Sequence, residues 1–150
     1  DQWVHIALVT NENGVDGEFN NGNGKPIMMK MYVNGNLSKS EESNQPVEKP
    51  YRSSTIDVPM VAFTGLTVEG YVEGAKSTNG YMKYFHVWNK AKSQSEIQNI
   101  MNNPGTITGQ ESDLVCGWNF DKTVSDDSDI KDLTGKYSAK LMGNFSWVKK

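Results

Sequence analysis

The segment Asn79–Met101 constrains the fold most, because it joins a strand pattern directly to a one-sided helix pattern. Its first part, Tyr81–Trp88, reads as a β-strand, in which alternate side chains point to opposite faces. We expect Phe85 and Val87 to face the core. The other face carries the side chains of Tyr84, His86 and Trp88. A strand that runs straight into such a helix needs a sheet to pack on.

The second part of this segment predicts one short helix over residues 94–102. Ser93 and Glu96 have the spacing of a capping box, in which each side chain satisfies a free N–H of the first turn. The apolar residues of the segment recur on one helical face: Ile97, Ile100 and Met101. Pro104 prevents continuation of the helix.

Composition excludes several function classes. The chain has 150 residues and a net charge of −3, which argues against a general nucleic-acid binder. No apolar run approaches the roughly 20 residues of a membrane span, so we expect no membrane insertion. No signal peptide is present, so we expect either an internal piece of a protein or a removed signal. The single cysteine, Cys116, is interpreted as a small buried apolar residue.

The first half of the chain predicts a strand, a loop and a hairpin. Gln2–Thr10 is apolar on both faces, which favours a strand inside a sandwich over an edge strand. Asn11–Pro26 is a polar loop rich in Asn and Gly. The next strand, Ile27–Asn34, leads into Asn34-Gly35, a pair typical of a type I′ turn with positive φ at both residues. The predicted core face of that strand consists of Ile27, Met29, Met31 and Val33.

The remaining strands are short and separated by turn residues. The predicted strands are Thr55–Gly65, Leu66–Val72, Leu114–Phe120, Tyr137–Met142 and Phe145–Val148. Asp121–Gly135 is interpreted as an acidic turn region. Many short strands with one helix indicate an all-β sandwich.

Four stretches in order resemble one superfamily. The sequences are WVHIALV at Trp3–Val9, KMYVNGN at Lys30–Asn36, GYMKYFHVWNKAKSQSEI at Gly80–Ile97 and LVCGWNFD at Leu114–Asp121. They resemble the laminin-G-like, concanavalin A-like lectin/glucanase domains of secreted and surface proteins of gut bacteria. The resemblance implies a jelly-roll β-sandwich and a glycan as the ligand class.

The chain also departs from that family pattern. Lys83 stands where the family strand carries an acidic residue. The family fold has several strands before the W-x-H strand, whereas this chain begins two residues ahead of Trp3. Residues 1–150 are therefore expected to form one domain at the C-terminal end of a larger protein. Three alternatives for the earlier strands stay open: removal, replacement by Leu114–Lys150, or strand exchange with another copy.

No catalytic centre is predicted. Jelly-roll glucanases carry their carboxylates on one strand as E-x-D-x-x-E, and no strand here has that spacing. Both histidines, His5 and His86, lie within strands, no serine sits in a G-x-S-x-G elbow, and His5 is interpreted as structural.

Acidic clusters raise the question of calcium, although no cofactor is predicted. One cluster comprises Asp126, Asp127, Asp129 and Asp132, and the other comprises Asp16, Glu18, Asn20 and Asn23. Calcium takes six to eight oxygens from such loops, but neither cluster matches an EF-hand. Solvated turn acids are the alternative interpretation, and Asp132 is expected to cap its own turn.

Sugar binding is the remaining hypothesis. Aromatic faces stack on pyranose C–H groups, and polar neighbours bind the hydroxyls. The candidate residues are Tyr32, Tyr84, His86 and Trp88, with Tyr32 assigned to the outward face beside Lys30. We therefore expect a non-catalytic binding module of a secreted or cell-surface bacterial protein, with a glycan and other domains of the parent protein as partners. A structural or protein–protein adhesion module without a sugar site is the alternative.

Overall fold

A computed structural model gives the architecture of the chain. Its described residues form short antiparallel strands and one α-helix, which is consistent with the predicted all-β class. The chain forms two compact units: Asp1–Glu48 together with Lys83–Lys150, and Lys49–Met82. The structure describes residues 2–11, 13–20, 22–42, 66–67, 70–71, 80–120, 129–141 and 146.

Three strands of the first unit form an antiparallel sheet. They are β1 (Ile6–Thr10), β2 (Ile27–Val33) and β3 (Asn36–Glu42), in the order β1-β2-β3. The β2–β3 turn has positive φ at both central residues, 49° at Asn34 and 73° at Gly35, so the predicted hairpin is confirmed. A short 3-10 turn, Val15–Gly17, interrupts the loop between β1 and β2.

The buried face of β2 is opposite to the predicted one. Lys30 and Tyr32 are only 3% and 2% exposed, and the residues assigned to the core face (Ile27, Met29, Met31 and Val33) are half-buried. Tyr32 packs in a cluster with Val9 of β1, Val15 of the loop and Ile97 of the helix. The prediction was wrong because the helix and a loop residue cover this face, and periodicity alone does not say which face is covered.

β1 also differs from its prediction. Val9 is buried and Ala7 packs against the same cluster, but Ile6 and Leu8 are 67% and 61% exposed. Within the part of the chain that the structure describes, β1 pairs only with β2. The expectation of a strand with both faces buried is therefore wrong for these residues.

The helix, α1 (Gln94–Asn102), lies where the sequence predicts it. Ser93 Oγ accepts from the Glu96 N–H, and the Glu96 carboxylate accepts from the Ser93 N–H at 2.8 Å, so the capping box is confirmed. These hydrogen bonds, together with Lys90, lower the pKa of Glu96 to about 2. Gln94 and Gln98 each donate to the Gly35 carbonyl at 3.0 Å, which holds α1 on the β2–β3 turn.

A second sheet pairs β6 (Tyr84–Trp88) with β7 (Leu114–Asn119). Phe85 and Val87 pack against a second buried cluster, which confirms them as core-facing. That cluster comprises Cys116, Trp118 and Ile130. Cys116 is buried, as predicted, and burial raises the pKa of its thiol.

The other strands are shorter than predicted. The strands β8 (Asp129–Lys131) and β9 (Ser138–Lys140) pair with each other, so the predicted turn region Asp121–Gly135 contains a strand. β4 (Leu66–Thr67) and β5 (Gly70–Tyr71) pair antiparallel with each other, whereas one strand was predicted over Leu66–Val72. The predicted strands Thr55–Gly65 and, except for Ser146, Phe145–Val148 lie outside the described residues. None of the helices in the described ranges has the length and apolarity to cross a membrane.

Candidate functional site

Four rings lie in one row across the first unit, and we call this row the aromatic ladder. Its members are His5, Tyr84, His86 and Trp88. The centroids of His5 and Tyr84 are 5.9 Å apart, and Tyr84 stacks on His86 at 5.1 Å with 21° between the planes. His86 meets Trp88 edge to face at 6.1 Å. All four side chains are half-buried, so the ladder is a partly open surface.

The local structure explains the ladder's alignment. Alternation along β6 places three of the rings on one face. His5 joins them because its backbone is fixed to the hairpin turn. Its N–H donates to Asn34 Oδ1 at 2.9 Å, and its carbonyl accepts from the Asn34 N–H at 2.8 Å. Opposite His86 lies Gly117, where a Cβ would come within 2.8 Å of the His86 ring. The absence of a side chain at Gly117 therefore makes room for the imidazole.

The imidazoles of the ladder are neutral near pH 7. Burial lowers the pKa of His5. Burial and the neighbouring His5 together lower the pKa of His86, against the opposing effects of Asn119 and Glu111. His86 Nε2 lies 3.1 Å from Asn119 Oδ1, and because an amide oxygen accepts, Nε2 carries the proton. The Nδ1 atoms of His5 and His86 are buried and have no hydrogen-bond partner among the described residues.

The Trp88 end of the ladder carries ion pairs. The Lys92 ammonium lies 4.1 Å from the Trp88 ring centroid, a cation–π contact. It also lies 2.5 Å from Asp113 Oδ2 and 3.9 Å from Glu96 Oε1. Lys90 pairs with Glu96 at 3.1 Å. The hydrogen bond from Lys92 lowers the pKa of Asp113 despite the opposing effect of burial, so the carboxylate stays ionised.

Three of the four predicted site residues come together in the ladder: Tyr84, His86 and Trp88. The fourth, Tyr32, takes no part in it, because Tyr32 is buried beneath α1 in the first core cluster. Its predicted outward orientation is wrong. The sequence patterns did not single out Lys92 and Asn119, and they led to His5 being interpreted as structural. The W-x-H pattern contains His5 but does not predict its contact with Tyr84, because the two residues are far apart in sequence.

The acidic residues of the first loop have protein partners. Asp16 and Glu18 lie 3.0 and 2.8 Å from the Lys30 ammonium. Burial lowers the pKa of Lys30, but the hydrogen bonds and charges of the two carboxylates outweigh it and raise the pKa above its usual value. The two amides, Asn20 and Asn23, donate to the Glu42 carboxylate at 2.9 and 2.8 Å.

The second acidic cluster is described in part. Asp126 and Asp127, and the side chain of Asp129, lie outside the described residues. Asp132 is 5% exposed and accepts from the N–H groups of Thr134 and Tyr137 at 3.1 and 2.9 Å. The predicted turn-capping role of Asp132 is therefore confirmed. In the ranges that the structure covers, no group of three or more His, Cys, Asp or Glu side chains could hold a metal.

The ladder combines flat apolar ring faces with polar atoms that carry no net charge. Burial raises the pKa of Tyr84, so its hydroxyl stays protonated and can donate. Such a surface suits a ligand with apolar C–H faces and hydroxyl groups. The family resemblance stays a prediction, because comparisons with protein-family models, curated proteins and solved structures give no match to this chain.

Proposed function

We propose that the chain is a non-catalytic, glycan-binding module of a secreted or cell-surface bacterial protein. The observation that carries the proposal is the row of four half-buried rings from His5 to Trp88, with the Asn119 amide beside it. Stacking on the rings would provide binding energy, and the polar atoms would orient the hydroxyls. The proposal includes a concanavalin A-like jelly roll as the finer description of the all-β fold.

Several features support binding without catalysis. Two described carboxylates near the ladder have other partners: Asp113 pairs with Lys92, and Glu111 accepts from the N–H groups of Thr108 and Gly109 at 2.9 Å. These contacts lower the pKa of both carboxyls below their usual values. A glycosidase acid needs a raised pKa at neutral pH. Release of reducing ends from a polysaccharide panel would contradict this part of the proposal.

A glycan array with matched variants tests the binding. Trp88→Ala and Tyr84→Ala each remove one ring of the ladder, and we expect each to weaken binding about tenfold. Tyr137→Ala is the control, because Tyr137 is an exposed aromatic outside the ladder, and it should bind like wild type. The lectin hypothesis fails if the folded wild type binds no glycan, or if both ladder variants bind as well as the control.

One observation favours the alternative, an adhesion module without a sugar site. Val4, Ile6 and Leu8 are large, exposed apolar side chains on one side of the β1 segment. Exposed apolar patches of this kind often mark protein–protein contacts. Another domain of the parent protein is then the partner. Leu8→Lys should abolish binding of the separately expressed neighbouring domain, whereas Trp88→Ala should leave it unchanged.

A further inference from the structure

The charged groups beside the ladder are compensated. The Lys92 side chain is 12% exposed and lies between Trp88 and Asp113, so the Asp113 carboxylate neutralises it at close range. Lys90 and Glu96 form a second pair next to it. In the part of the chain that the structure covers, the Trp88 end therefore presents two cations and two anions.

The rest of the ladder carries no charge near pH 7. The two imidazoles are neutral, because burial lowers the pKa of His5 and of His86. Tyr84 keeps its proton for the same reason. With Nε2–H bonded to Asn119, the Nδ1 atom of His86 is a buried lone-pair acceptor that has no donor among the described residues. Because these groups are uncharged, this part of the ladder offers an anion no countercharge.

An acidic ligand would bind poorly on such a surface. A carboxylate or sulfate loses its hydration on contact with aromatic rings, and this loss is costly unless a cation compensates it. Lys92, the buried cation that contacts Trp88, already has Asp113 as its partner. A hydroxyl loses less on dehydration and can pair with a neutral group such as the Tyr84 hydroxyl, which stays protonated. We infer that the ladder selects neutral, hydroxyl-rich sugar chains over uronic-acid or sulfated ones, an inference that rests on the proposed glycan-binding function.

Matched pairs of oligosaccharides test the inference. Each pair has one backbone with and without charge, such as oligogalacturonate and its methyl ester, or a sulfated galactan oligomer and its desulfated form. Calorimetric titration of the wild-type chain at low and high salt measures both members. We expect the neutral member to bind about tenfold more tightly or better, with an affinity that does not change with salt.

A variant separates the charge compensation from the stacking. Asp113→Asn removes the closer of the two anions beside Lys92 and leaves Glu96 at 3.9 Å, so it should strengthen binding of the acidic members and make that binding weaken with salt. Binding of the neutral members should change little, because the rings remain. Its near-UV circular dichroism, compared with wild type, reports whether the aromatic packing is intact.

The outcomes distinguish the two proposals. Equal or tighter binding of the acidic members by wild type, weakened by salt, would overturn the neutral selectivity and leave glycan binding in place. Absence of binding to every member by a folded wild-type chain would overturn both. Neutral preference together with the gain in Asp113→Asn would support both.

Discussion

At the scale of single residues, the surrounding side chains determine burial more than the residue type does. Lys30 is a charged residue and was assigned to the outward face, yet it is buried because Asp16 and Glu18 neutralise it. Tyr32 shares that face and is buried with it. His5 and His86 likewise keep buried nitrogens without partners among the described residues. Each of these states depends on a residue distant in sequence.

The Lys30 ion pairs should stabilise the fold measurably. Asp16→Asn together with Glu18→Gln leaves a buried ammonium without a countercharge, which costs several kcal/mol in buried pairs. Because both carboxylates are partly exposed, we expect a smaller loss of about 2 kcal/mol in the free energy of unfolding. Asn also suits the positive φ of 56° at residue 16.

Urea denaturation near pH 7 measures this loss. Adding Lys30→Met to the double variant should recover most of the stability, since it removes the uncompensated charge and keeps an apolar side chain of similar length. A double variant within about 0.5 kcal/mol of wild type would contradict the role of the pairs.

The two histidines should make stability depend on pH. Burial lowers the folded-state pKa of His5 and of His86 below the ordinary value of 6.5. The unfolded chain therefore binds more protons as the pH falls, so the stability is complete above about pH 6.5 and decreases below it. We expect urea denaturation to show this decrease between about pH 6.5 and pH 5.

The matched variant is His5→Gln with His86→Gln, which removes both titrating groups. Its stability should change less over the same pH interval. The lowered pKa of Glu96, about 2 against an ordinary 4.5, makes stability fall only below about pH 4.5, and this contribution is the same in wild type and variant. An identical pH slope in wild type and variant would rule out the histidines as its cause.

At the scale of elements, the contact between α1 and the β2–β3 turn joins two correct predictions. The capping box begins α1 after Ser93, and Asn34-Gly35 forms the turn, both from local sequence signals. Their contact is tertiary, since Gln94 and Gln98 both donate to the Gly35 carbonyl. No spacing rule pairs residues so far apart along the chain.

Two glycines isolate the energy of this contact. Gly24 and Gly35 have similar positive φ angles, 68° and 73°. A Cβ at Gly24 meets nothing within 4 Å, so Gly24→Ala should cost only the backbone strain of about 1 kcal/mol. At Gly35 a Cβ would lie 2.7 Å from Gln98 Cγ, so Gly35→Ala should cost about 1–3 kcal/mol more. Urea denaturation measures both losses in the free energy of unfolding. Equal losses would show that α1 moves away from the added methyl group without cost.

The N-cap should contribute separately to the stability of α1. Ser93→Ala removes the oxygen that accepts from the Glu96 N–H, and a lost cap costs about 1 kcal/mol. Ser112→Ala, at an exposed position outside α1, is the control and should be nearly neutral. Thermal unfolding followed by far-UV circular dichroism compares the two. A melting temperature for Ser93→Ala equal to that of Ser112→Ala would contradict the cap's contribution.

At the scale of the whole molecule, the arrangement of layers decides which face of each strand is buried. The helix and Val15 cover one face of the first sheet, and Val15 is fully buried (0% exposed) although it lies in a loop that reads as polar. The opposite face of β1 is exposed. β6 and β7 bury their Phe85 and Trp118 face and leave the ladder face partly open.

Adjacent residues of β1 test this assignment of faces. Val9 is buried in the first core cluster, so Val9→Ser should lower the free energy of unfolding by about 2–3 kcal/mol. Leu8 points to the exposed face, so Leu8→Ser should change it by no more than about 0.5 kcal/mol. Urea denaturation of both variants measures the difference. Similar losses would mean that both faces of β1 are buried in solution.

Local signals in the sequence determined the elements whose hydrogen bonds are local. The capping box at Ser93 and Glu96 and the Asn34-Gly35 turn need only neighbouring residues, and the all-β class follows from many such short signals. The tertiary structure alone decided which face of β2 is covered, and hence that Lys30 and Tyr32 are buried. It also decided that His5 joins the ladder. Alternation assigns side chains to two faces, but the elements that pack against the strand choose between them.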